Sequence, residues 1–279
     1  MDGVDVLVHS DLDGGAARIE SHVGESMGDI YAYDFARDAK GNKIVTSEGY
    51  YKLTDERVKV GNAMPKLTGG FTSSLSYKNF SLDAVIDFRI GGSVINIPYQ
   101  YMMNRGSLVQ SLYGRGTENG GLSYYFENAG NTGKLIACDV NTAKGPNGQN
   151  VYDNGMILDG VKEDGSKNDI IIESAKYYQN VYGWGTSTVR TYAPSIFDNT
   201  YVKLRELTFS YALPSSICEK FACNRLSLSV FGRNLFYFHK NMPAFDAEAT
   251  DGTNWVYQAQ IGGATATTRS FGFSLRASF

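Results

Sequence analysis

Two alternating runs meet at Lys78-Asn79 with opposite phase, and that junction restricts the fold of this chain more than any other feature. Before it, Leu67, Phe71, Leu75 and Tyr77 stand at odd positions, with Thr68, Thr72, Ser74 and Ser76 between them. After it, Phe80, Leu82, Ala84, Ile86, Phe88 and Ile90 stand at even positions, alternating with Ser81, Asp83, Val85, Asp87 and Arg89. Period two gives a strand one apolar and one polar face. A two-residue hairpin loop requires the flip, because it sets Tyr77 opposite Phe80 and Leu75 opposite Leu82. Phe71 then faces Ile86, and Leu67 faces Ile90. Each arm is about 11 residues, twice the usual strand of roughly 5–6.

The chain ends on the same pattern. Phe271, Phe273, Leu275, Ala277 and Phe279 alternate with Gly272, Ser274, Arg276 and Ser278. About 10 residues at roughly 3.3 Å each, tilted some 40°, span about 25 Å, the height of the apolar band on an outer-membrane barrel. A third strand is expected over 201–213, closed by Pro214. Leu207, Phe209, Tyr211 and Leu213 share a face there with Tyr201, but Lys203 and Arg205 intrude on that face near one end. A fourth is expected over 225–238, where Leu226, Leu228, Val230, Phe236 and Phe238 alternate while Gly232 and Asn234 interrupt the stripe.

The intervening segments set the architecture. Residues 91–199 are rich in Gly, Asn and Tyr and nearly aperiodic; only Asp169–Gln179 reads as helical. Such a loop is suspect inside a compact soluble domain but ordinary on the outer face of a membrane barrel. With 240–268 as a second long loop, the short links at Lys78-Asn79 and 215–224 fall on the periplasmic side. Tyr77, Phe80, Tyr211 and Phe279 then mark the inner rim, and Tyr201, Phe236 and Phe238 the outer one. Residues 1–62 form a poorly defined segment with short strands at 30–35 and 43–46, and 63–279 form the barrel part. Asp11–Gly15 (DLDGG) reads as a turn, since it lacks the later ligands of a calcium loop.

Several function classes find no support. The net charge of −3 offers no basic surplus for nucleic acid. No apolar run reaches about 18 residues, which excludes a spanning helix and says nothing of barrel strands. His9, His22 and His239 are scattered, and no nucleophile elbow, zinc helix or phosphate loop occurs, so no catalytic residue, metal site or cofactor is expected. Cys218 and Cys223 can pair or share a metal, but a short turn with two apolar cysteines is the simpler reading.

The residues also resemble a known family. NAMPKLTGGFTSSLSYKNFSLDAVIDFRIGGSVIN (62–96), FDNTYVKLRELTFSYALP (197–214), RLSLSVFGRNLFYF (225–238) and RSFGFSLRASF (269–279) are similar, in order and spacing, to segments of SusC/RagA-type TonB-dependent outer-membrane transporters. VGESMGDIYAYDF (23–35) resembles the segment before them. Ala63-Met64-Pro65 departs from the family's Asn-Pro pairing. The resemblance implies an all-β fold: about five antiparallel transmembrane strands, the C-terminal portion of a barrel of about 22 strands. The family's export signal, plug and TonB-interacting segment have no counterpart here, so a fragment or truncated reading frame is expected.

By the same resemblance, the chain belongs in the outer membrane of a Bacteroidota-like cell and is not an enzyme. It would serve import of an oligosaccharide or peptide, with a SusD-like surface lipoprotein and, through the missing part, TonB. Phe271, Phe273, Leu275 and Phe279 would form the C-terminal signal for the barrel-assembly machinery. Asp83, Asp87, Arg89, Arg233 and Arg276 lie opposite the apolar stripes and should face the lumen, as contacts to plug or solute or as a hydrated, ion-paired wall. Tyr177, Tyr178, Tyr182, Trp184 and Trp255 are candidate loop contacts to a glycan or peptide. Two rival readings remain: a passive porin-like barrel, and a soluble β-sandwich that binds glycans.

Overall fold

A computed structural model of the chain describes residues 3, 5–183, 191–263 and 265–279. The chain divides into two units, residues 1–61 with 95–196 and residues 62–94 with 197–279. This division differs from a boundary near 63, because most of the segment between the second and third long strands belongs with the N-terminal residues.

The second unit is a five-stranded antiparallel meander. Its strands are β1 (Leu67–Tyr77), β2 (Phe80–Ile90), β3 (Tyr201–Ala212), β4 (Arg225–Lys240) and β5 (Ser270–Ser278), each hydrogen-bonded to its chain neighbour. The β1–β2 register pairs Tyr77 with Phe80, Leu75 with Leu82, Phe71 with Ile86 and Leu67 with Ile90, as the phase flip requires. The hairpin turns on Lys78 at φ 52°, a left-handed conformation suited to a right-twisted ribbon. One face of the sheet is apolar and exposed. Phe71, Leu75, Phe273 and Phe279 are 60%, 65%, 80% and 84% accessible, and Phe209 and Val230 about half so. An apolar sheet face of this extent normally buries itself against another layer or a partner.

Glycines carry aromatic rings across this sheet. Phe88 lies opposite Gly69, Phe271 opposite Gly232, and Phe231 opposite Gly272. A β-carbon at Gly69 would stand 2.8 Å from Phe88 Cζ, and one at Gly272 would stand 2.5 Å from Phe231 Cζ. Each ring covers backbone that its partner's missing side chain leaves bare.

The structure corrects the reading of β3. Opposite β2, Leu204 pairs with Ile86 and Glu206 with Val85, so Arg205 is an extra residue, a β-bulge. The bulge inverts the alternation: Leu207, Phe209 and Tyr211 share the apolar face with Leu204 and Val202, not with Tyr201 and Lys203. Tyr201 and Lys203 pair with Arg89 and Asp87 on the polar face instead. Tyr201 is therefore no part of an outer-face aromatic rim. In β4 the register slips between Phe236 and Arg233, where Asn234 adopts φ 52°.

The first unit contains two four-stranded sheets. One runs Val6–Leu12, Ala17–His22, Asp29–Ala32 and Val58–Asn62 in spatial order; its buried face holds Ala17, Ile19, Ile30 and Ala32, all fully inaccessible. The other is built from Leu122–Asn128, Thr132–Ala137, Val151–Ile157 and Ile171–Glu173. A parallel pairing of Ile44–Val45 with Val161–Lys162, and the Lys52–Glu163 ion pair at 3.0 Å, join the N-terminal residues to the long insertion. The insertion is thus folded rather than aperiodic. Its strands of six and seven residues, such as LSYYFEN over Leu122–Asn128, do not alternate, and the remaining ones have two or three residues.

Helix α1 (Ile97–Arg105) lies in the stretch read as loop, and its caps were legible: Asn96 accepts the Tyr99 amide at 2.9 Å, proline follows in the first turn, and Gly106 closes it at φ 73°. The helix expected over 169–179 begins later, as α2 (Ser174–Val181), because Ile171–Glu173 pairs with Gly155–Ile157 as a strand.

Candidate functional site

The polar face of the sheet is a serine-lined trough of about 610 Å³. Ser81 pairs with Ser210 and Ser210 with Ser229, whose hydroxyl donates to Ser210 Oγ at 2.8 Å. Ser74 donates to Asp83 at 2.5 Å. Arg233 donates to Glu206 at 2.8 Å and lies over the Phe231 ring at 5.0 Å. Arg225, Arg276 and Lys78 also line the trough. Small hydroxyl side chains tile this face, and long cations line it with them.

At the end of the trough near loop 240–268 the charges are paired; Lys203 is buried and the others half-buried. Arg205 donates to Asp87 at 2.6 Å, to Asn234 at 2.9 Å and to both carboxylate oxygens of Glu248. Lys203, 2% accessible, pairs with Glu248 and donates to Thr267 at 3.0 Å. Tyr237 donates to Asp246, which also accepts the Thr267 amide at 2.7 Å. Val94, Met242, Ala247 and Ile261 make the small apolar core beside this network, with Tyr201 and Tyr237 packed on it.

The loop carboxylates are held ionised. Burial alone would raise Asp246, but hydrogen bonds from Thr267 and Tyr237 outweigh it and hold the group at about 2. Burial opposes ionisation of Glu248 as well, and the hydrogen bonds and charges of Arg205 and Lys203 reverse it, lowering the group below its ordinary value. Buried charges persist when fully paired, and this network holds loop 240–268 against the strands.

The charged candidates fall into two groups. Asp83, Asp87 and Arg233 lie on the polar face in pairs, and Arg276 lines the trough. Arg89 is turned to backbone instead, donating to Ala63 O at 3.2 Å and Gly91 O at 3.3 Å, so it fastens the strand end. Sequence reasoning missed Lys203, Arg205, Asp246 and Glu248 as one cluster. The only signal was the charge intrusion in β3, which a bulge explains and alternation alone does not.

The aromatic candidates separate similarly. Tyr178 is buried, and its hydroxyl donates to Tyr113 O at 2.9 Å and Gln110 O at 3.3 Å, so it packs the insertion. Tyr177 and Tyr182 are half-buried, ring to ring at 6.3 Å and with linked hydroxyls; burial pushes both phenols up. Trp255 is half-buried in loop 240–268. Trp184 lies outside the described residues. Phe271, Phe273 and Leu275 project from the apolar face of β5, and Phe279 follows its last residue. Among the described residues, no three His, Cys, Asp or Glu side chains gather to hold a metal ion.

No protein-family model matches the chain. A curated relative, TonB-dependent receptor P3 of Formosa agariphila, is 22% identical over 245 residues, covering 81% of this chain and 19% of the relative. Solved structures of the RagAB peptide importer share the fold. Its closed-closed state matches with a TM-score of 0.52 at 16% identity, and its open-open state with 0.52 at 17%. A RagAB peptide transporter structure matches with a TM-score of 0.54 at 15% identity. These cover 99–100% of this chain and 25% of the longer one, so the chain spans about a fifth to a quarter of the length of the proteins it matches. By sequence the chain is similar to part of a TonB-dependent receptor, and it shares the fold of part of the RagAB importer structures.

Proposed function

We propose that this chain forms part of the wall and extracellular surface of an energised outer-membrane importer for peptides or oligosaccharides. The observation that carries the reading is the two-faced sheet. Phe71, Leu75, Phe209, Val230 and Phe273 stand exposed on one side, while serines and paired charges tile the other. Hydrocarbon satisfies the first face and a wet lumen the second. The edge strands β1 and β5 each have one neighbour in the sheet, and further barrel strands would complete their ladders.

The solved relatives are named as peptide importers, which favours a peptide solute over an oligosaccharide. A SusD-like lipoprotein would cap the outer face, and TonB would supply energy through a segment upstream. Phe271, Phe273, Leu275 and Phe279 would present the apolar, aromatic end that the assembly machinery reads. The polar-face charges Asp83, Asp87, Arg233 and Arg276 would line the lumen, and Tyr177, Tyr182 and Trp255 remain the candidates for loop contacts to solute.

Uptake in cells with and without the gene tests this. A fluorescent peptide library should enter the parent and not the deletion strain, and a protonophore should stop entry. Entry that survives the protonophore would favour a passive pore. Fractionation of the protein into the aqueous periplasm, folded without detergent, would favour the β-sandwich.

A further inference from the structure

We infer that Cys218 and Cys223 form a disulfide that staples the short turn between β3 and β4. The turn is a helical segment, Ser215–Cys218 continuing into Glu219–Phe221, that stops at Ala222 with φ 50°. The Ala222 amide bonds Glu219 O at 3.2 Å and the Cys223 amide bonds Cys218 O at 3.1 Å. This is the helix stop in which the second residue past the end folds back on the last turn, and an apolar contact usually joins those two positions. Here both positions are cysteine. Both thiols are free in this structure: Cys223 Sγ donates to Cys218 O at 3.4 Å and Cys218 Sγ to Leu213 O at 3.7 Å. Both side chains are buried in a small cluster with Leu226 and Leu213. A backbone that returns Cys223 onto Cys218 sets the two cysteines side by side in one cluster, the arrangement from which a disulfide can form.

The oxidation rests on the proposed function, which puts this turn, at the same end of the sheet as Lys78-Asn79, in the periplasm. A periplasm holds disulfide-bearing thiol oxidants. One thiolate attacks the oxidant's disulfide to give a mixed disulfide, and the second displaces the oxidant. One S–S bond forms in the protein, one breaks in the oxidant, and two electrons and two protons leave with the reduced dithiol. Burial pushes the Cys223 thiol up, so the thiolate is scarce once the turn has packed. Both side chains are also buried once the turn has packed, out of an oxidant's reach, so the bond forms while the turn is still exposed during folding.

Mass spectrometry of the protein from its own outer-membrane fraction tests the inference. Free thiols are blocked with N-ethylmaleimide in denaturant before any reductant is added, and the protein is digested with trypsin. Trypsin cuts after Lys220 and after Arg225, between and beyond the two cysteines, so a disulfide leaves two peptides joined. Reduction should split that pair, and a second, deuterated reagent should then label both residues completely. Cys218 and Cys223 both carrying the first reagent, or either joined to Cys138 or to another protein, overturns the inference. A second arm removes the dependence on compartment: purified reduced protein, unfolded and refolded in oxidised glutathione, should yield the same joined peptides. Joining in that arm with free thiols in the membrane-derived sample sinks the in vivo staple but leaves the outer-membrane reading intact. Recovery of the protein only from the soluble fraction sinks the outer-membrane reading instead, while the refolding arm still judges the geometry.

Discussion

Arg205 donates to Asp87 at 2.6 Å from a position in β3 that has no opposite residue in β2. The bulge and the ion pair explain each other. An extra residue swings the guanidinium out of the ladder toward the polar face, and Asp87 and Glu248 receive it there. The residues before the bulge change sides, so Lys203 reaches Glu248 on the polar face rather than standing on the apolar one.

Removing Arg205 should therefore loosen loop 240–268 more than the sheet. Arg205→Ala leaves Asp87 without its cation and Glu248 with Lys203 alone. The expected loss is about 2 kcal/mol, the scale for a partly buried charge left short of partners. Urea midpoints in lipid vesicles measure it. Arg205→Lys should recover part of the loss, and an unchanged midpoint in Arg205→Ala would show that the network contributes nothing.

The loop should also release in acid. Asp246 titrates at about 2 in the fold against an ordinary 3.8, so its deprotonated form is stabilised. That stability is complete above the ordinary value and is lost as pH falls from about 4 toward 2. Glu248, lowered as well, adds a loss of the same sign. Trp255 sits in this loop; in a Trp184→Phe background its fluorescence should change over that interval. A flat signal down to pH 2 refutes the clamp.

Neighbouring substitutions on β3 should differ sharply in lipid. Phe209→Arg puts a charge on the apolar face and should cost about 2–4 kcal/mol near the bilayer centre, whereas Ser210→Arg faces the trough and should cost less than about 1. Folding free energies in vesicles distinguish them. Equal costs would mean that the sheet has no lipid side.

The Gly272–Phe231 pair should behave as a unit. Gly272→Ala brings a β-carbon to 2.5 Å from the ring tip and should cost about 1–2 kcal/mol through overpacking. Phe231→Leu shortens the side chain, so the double variant should recover part of the loss. Strict additivity in this cycle would argue that the ring does not cover the glycine.

The alternation on either side of Lys78-Asn79 determined the β1–β2 register, because a slip of one residue would flip a face and the two-residue turn that the phase flip requires excludes slips of two. The same local rule marked the apolar stripe of β5 and put Asp83, Asp87, Arg233 and Arg276 on the opposite side. It failed where the ladder gains residues. A bulge has no signature in composition, so alternation alone puts Tyr201 and Lys203 on the face opposite to the one their β2 partners Arg89 and Asp87 give them. The insertion was illegible for a related reason: Leu122–Asn128 and Val151–Ile157 do not alternate, and Val161–Lys162 is a two-residue strand created only by pairing with Ile44–Val45, more than a hundred residues away. Local sequence determined which residues alternate. Non-local hydrogen bonding decided where the alternation changes phase, and with it that Arg205, Glu248 and Asp246 form one half-buried network.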